Sequence, residues 1–148
     1  MEVDNLNEIP TTIRRFVMNI YLFISGVLLV LLSFAHAIFG EINVFRVVMD
    51  SNLIELIKTS VYVPWHQISF VLLFSGVANI YISFKTKLYQ ISSFILIVVI
   101  GNLLTFLFIS IMRLDWEVLR QSLFQIAVFA LLIVLILVGI SSIKKNAH

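Results

Sequence analysis

The stretch "FVMNIYLFISGVLLVLLSFAHAIF", residues 16–39, decides the fold. It holds no lysine, arginine or acidic residue, and it is longer than the about 20 residues that cross the hydrocarbon core of a bilayer. A backbone in lipid has no water to bond, so a spanning segment satisfies its own N–H and C=O groups as a helix. Three more runs share these properties, at residues 63–84, 89–112 and 122–143. The 10 lysines and arginines and the 8 acidic residues all lie outside the four runs. Of the 148 residues, 61% are hydrophobic and 12% charged, against about 45–50% apolar and about 25% charged in soluble domains. The sequence therefore predicts an all-α integral membrane four-helix bundle, a single transmembrane domain over residues 1–148.

Composition also excludes several functions. There are no cysteines, so disulfides, thiolate metal sites and thiol redox chemistry are ruled out. The net charge of +2 is small and dispersed, with no basic tract of the kind that binds nucleic acid. Partners are therefore expected to be the lipid bilayer and other membrane proteins.

Orientation follows from the bias of basic residues toward the cytoplasm. Arg14, Arg15, Lys85, Lys87, Lys144 and Lys145 gather on one side. Arg46, Lys58, Arg113 and Arg120 lie on the other, diluted by Glu41, Asp50, Glu55, Asp115 and Glu117. Both termini are thus expected in the cytoplasm, with Trp65 and Trp116 at the outer boundary, where amphipathic rings prefer to sit. The "AHA" at 35–37 mimics a signal cleavage site, but the apolar run before it exceeds the about 7–15 residues of a secretory signal. A first transmembrane helix is expected instead, starting near Pro10, Thr11 or Thr12. Residues 42–60 read as the only sizeable loop. Within it "DSNLIELIK", residues 50–58, suits either a short amphipathic helix at the outer interface or an ordinary packed loop.

Membrane helices pack through small residues that let backbones approach. Gly26, Ser33 and Gly40 recur every seven residues in the first run, and Ser69, Gly76 and Ser83 do so in the second. His36 shares the first face and His66 the second, so both should point at protein. The two helices are consecutive and antiparallel, which brings the two histidines toward one level of the membrane. Glu41 lies at the mouth, Gln67 adjoins His66, and Asp115 comes from the outer loop between the third and fourth runs. His36, Glu41, His66, Gln67 and Asp115 are therefore the candidate ligand-binding residues. Asn79 and Asn102, deeper in the second and third runs, are expected to make interhelical hydrogen bonds.

Several uses of this group remain open. The plainest is structural: His36 and His66 bond each other, Glu41 or water, and pin two helix ends. A divalent metal on His36, His66 and Glu41 would match the ligand set of some zinc sites, although no compact metal motif is present. A haem between His36 and His66 would need the two rings to face across a wide gap. Histidine titrates near physiological pH, so the same residues would also suit proton-coupled movement of a small molecule or quinone-like lipid. Four spans enclose little room, so such a carrier would act as a homodimer or in a larger membrane complex. No nucleophile, nucleotide loop or paired-carboxylate site points to an enzyme.

The combination of "HAIFGE" at 36–41, a loop of some twenty residues and "WH" at 65–66 resembles a group of small uncharacterised bacterial four-span proteins. Its members carry a histidine and a glycine-acid pair at the end of helix 1, and a Trp-His pair opening helix 2. The resemblance covers roughly residues 30 to 80. Many members have an arginine beside the glycine, whereas here Gly40 is followed directly by Glu41. It implies a bacterial inner-membrane location and a shared site, and no reaction.

Overall fold

The computed structural model describes residues 18–114 and 116–145. Pro10, Thr11, Thr12, Arg14, Arg15, Phe16 and Asp115 lie outside the described residues. Helix α1 (Ile20–Phe39) continues through a π-helical stretch (Gly40–Phe45) into the short α2 (Arg46–Met49). Helix α3 (Glu55–Phe84) returns, and a 3₁₀ turn (Thr86–Leu88) leads into α4 (Tyr89–Met112). The short α5 (Trp116–Gln121) precedes α6 (Leu123–Lys145). No strand occurs among the described residues. Four helical stretches are long and apolar enough to cross a membrane: Ile20–Met49, Glu55–Phe84, Thr86–Met112 and Leu123–Lys145. The chain is a multi-pass membrane protein.

The expected loop at 42–60 is almost entirely helix. Only Asp50–Ile54 separates α2 from α3, and the segment expected to lie on the interface forms the loop and the first turn of α3. The second run was expected to begin at residue 63, but α3 begins eight residues earlier and Pro64 sits inside it, where its ring withholds an N–H from the carbonyl of Ser60. The reason for the difference is that hydropathy marks where lipid ends, and a helix need not end there. A 30-residue span measures about 45 Å, against about 30 Å of hydrocarbon. The α1–α3 hairpin therefore has helices longer than the hydrocarbon is thick. Its tip is tied by Lys58, whose Nζ meets Glu55 Oε1 and donates to the Met49 carbonyl, both at 3.0 Å.

Helices α1 and α3 make the closest pairing, and small residues create it. A Cβ placed on Gly26 would lie 2.7 Å from the Gly76 carbonyl oxygen, and one on Gly76 would lie 2.7 Å from that of Gly26. Lipid tails are as apolar as leucine, so this contact, rather than exclusion from water, brings the helices together. The buried core gathers Leu22, Leu29, Leu72, Ile82, Val99, Leu132 and Ile136 from all four spans. Two buried asparagines knit the helices together. Asn79 donates to Ser25 Oγ at 3.2 Å and accepts from Ser92 Oγ at 2.8 Å, joining α1, α3 and α4. Asn19 caps α1 by accepting from Leu22 N, and donates to the Gly139 carbonyl and Ser142 Oγ on α6. Asn102, expected to bridge helices, instead donates to Val98 in its own helix. Large apolar side chains such as Phe34, Phe94, Phe108 and Phe124 point outward on every span, as expected for a bundle solvated by lipid.

Candidate ligand-binding site

The π-helical stretch decides where Glu41 and Phe45 project. A π turn inserts a residue relative to an α turn and recurs at functional sites. Here it aims Phe45 into the α1–α3 interface, where it is 1% exposed. Its ring meets Tyr62 and Trp65 edge-on and stacks near His66. Around it the polar residues fall into two groups.

The first group is closed. The His36 ring stacks on Trp65 with centroids 4.2 Å apart and planes at 13°. His36 Nδ1 and Ser69 Oγ are 2.9 Å apart, and Trp65 Nε1 donates to the His36 carbonyl at 3.0 Å. Ser33 Oγ donates to the Ser69 carbonyl at 2.7 Å. Gly40 makes room for the indole, since a Cβ there would lie 2.2 Å from Trp65 Nε1.

The second group is half open. Tyr62 OH donates to Glu41 Oε1 at 2.7 Å, and His66 Nε2 lies 3.0 Å from the same oxygen. That approach is close enough for an ion pair but outside hydrogen-bond alignment, so His66 Nε2 is enclosed without an aligned partner. The side chains of His66 and Glu41 are 34% and 49% exposed. Tyr62 and His66, with Val63, Gln67, Phe70 and Val71, also line a shallow, wide-open groove. All of these residues belong to α3, so the groove lies along the face of one helix.

The structure thus brings His36, Glu41, His66 and Gln67 to one end of the hairpin, while Asp115 lies outside the described residues. The two histidines do not bond each other. They are connected through Trp65 and Phe45, which occupy the gap that a haem would need. The expected metal set is not assembled either. Among the described residues no three of His, Asp and Glu converge on one point, because His36 turns to Ser69 while only His66 meets Glu41. Gln121, on α5, donates to Glu117; Arg120 beside Glu117 holds that carboxyl below its usual range, helped by Gln121.

Tyr62 and Phe45 were not anticipated from sequence. Tyr62 is one helical turn before His66, a spacing that places two side chains on one face. The signal was hidden because both residues fell outside the expected spans. Comparison with known protein families, with curated proteins and with solved structures finds no match.

Proposed function

We propose that this chain is a binding module of the bacterial inner membrane, with both termini in the cytoplasm, that holds a small ligand at Glu41, Tyr62 and His66. Membership of the small four-span group with a His, Gly-Glu and Trp-His pattern is part of the same proposal. The observation that carries it is the contrast between the two polar groups. His36 Nδ1, Trp65 Nε1 and Ser69 Oγ are hydrogen-bonded within their own group, as in a structural pin. Glu41 and His66 sit half exposed at one end of the hairpin, imperfectly aligned, beside an open groove. Ionisable side chains at membrane depth are costly and mark functional sites. Passage through the bundle is less well supported, since Leu29, Leu72, Leu132 and Ile136 fill the interior below.

The test is purification in mild detergent, followed by solvent extraction, mass spectrometry and elemental analysis. A near-stoichiometric small molecule is expected, reduced at least about tenfold, or about 1.4 kcal/mol, in Glu41→Gln and His66→Ala variants that still melt cooperatively. Wild-type protein carrying neither a molecule nor a metal that these variants lose would sink the reading.

A further inference from the structure

We infer that the ligand is a membrane lipid with a primary ammonium head, of the phosphatidylethanolamine type, its head on Glu41 and its chain in the α3 groove. This rests on the reading that Glu41, Tyr62 and His66 form a binding site, and it names the ligand class.

The carboxylate supplies the first argument. The approaches of Tyr62 and His66 to Glu41 fall on Oε1, and no described side chain donates a hydrogen bond to Oε2. No lysine or arginine among the described residues pairs with it. Lys58 is held by Glu55 and the Met49 carbonyl, and Arg46 makes no ion pair. A half-exposed carboxylate whose only basic partner among the described residues is a histidine attracts a cation, and more strongly near hydrocarbon than in water. Tyr62 has already spent its hydrogen on Oε1, so the open oxygen can accept a donor from outside. An ammonium supplies three, and the neighbouring Tyr62 ring adds a π face that favours a cation.

The groove supplies the second. Its polar members, Tyr62, His66 and Gln67, lie nearer the hairpin tip, and Phe70 and Val71 lie one turn further along α3. One turn is about 5.4 Å, so polarity falls along the groove in the same order as along a lipid. The Gln67 amide can donate to a phosphate oxygen next to the ammonium, while Val63, Phe70 and Val71 flank the chain. An anionic head of the phosphatidylglycerol type would meet the carboxylate with no lysine or arginine paired to it among the described residues, leaving only His66 to offset the charge. A choline head has no N–H to give.

The experiment is native mass spectrometry of the intact protein in mild detergent. The probes are phosphatidylethanolamine, phosphatidylglycerol and phosphatidylcholine of equal chain length, and free phosphoethanolamine. Phosphatidylethanolamine should bind at about tenfold lower concentration than the other two lipids. Glu41→Gln should remove that preference, by weakening phosphatidylethanolamine binding and relieving the repulsion of phosphatidylglycerol, a tenfold effect being about 1.4 kcal/mol. Val71→Trp, on an exposed lipid-facing position, should weaken binding by filling the groove, which keeps the test decisive if Glu41→Gln misfolds. Equal binding of all three lipids, or a preference for phosphatidylglycerol, overturns the inference. So does free phosphoethanolamine binding as tightly as the lipid, since the groove would then contribute nothing. If extraction finds a molecule without an ammonium group that is still lost in Glu41→Gln, the binding reading stands and this one falls.

Discussion

Gly40 keeps ordinary helical dihedrals, φ −57° and ψ −50°, so its backbone does not call for glycine. Its neighbour does. A methyl group there would collide with the Trp65 indole and push it off both the His36 ring and the His36 carbonyl. Gly40→Ala is therefore expected to cost about 1–3 kcal/mol, the usual penalty of overpacking. Gly101 is the contrast, with no atom within 4 Å of where its Cβ would be. Gly101→Ala should stabilise by about 0.5–1 kcal/mol, because a mid-helix glycine loses more freedom on folding than alanine. Thermal melts in detergent would check both, and equal effects would refute the steric argument. The closed half of the site was legible at this scale: the seven-residue spacing of Gly26, Ser33 and Gly40 against Ser69, Gly76 and Ser83 already put His36 against α3. Its direct partners were not, because spacing assigns a face and does not choose among Ser69, Glu41 and the other histidine.

Helix ends were the least legible elements, for a physical reason. A membrane span is recognised by loss of charge, and charge returns at the lipid boundary while the backbone continues to hydrogen-bond. Residues 42–62 were hidden in this way, and with them Phe45 and Tyr62. The end of α4 shows what a true stop needs. Arg113 closes the helix and Leu114 follows at φ 54°, its N–H bonded to the Ile111 carbonyl at 3.0 Å. This is the left-handed position that usually belongs to glycine in such a cap, and a Cβ there costs about 1–2 kcal/mol. Leu114 is 71% exposed, so little burial offsets that cost. Leu114→Gly is expected to stabilise the protein by about 1 kcal/mol, raising the melting temperature and slowing hydrogen exchange at the end of α4. A loss of stability would mean that the exposed leucine is anchored in the bilayer interface.

Across the whole molecule, fold class was legible because composition alone settles the solvent. The pairing of α1 with α3 was legible because glycine and serine were spaced to allow it. The α4 side was harder to read: Asn102 looks in sequence like Asn79, yet α4 carries it away from the other helices and it turns to its own backbone. Orientation is tested at this scale. With both termini cytoplasmic, a cysteine placed at Ser51 in this cysteine-free chain should react with an impermeant reagent on intact cells; labelling only after lysis would reverse the topology. The hairpin that carries Ser51 also matters for visualising the protein. A 16.9 kDa membrane protein offers little mass outside its detergent belt for particle alignment in electron microscopy. Only five residues, Asp50–Ile54, separate the helices of this hairpin at its tip. A rigid helical domain spliced between Ser51 and Asn52 would continue both helices outward as a fiducial marker, close enough to Glu41 and His66 for a bound head group to be resolved.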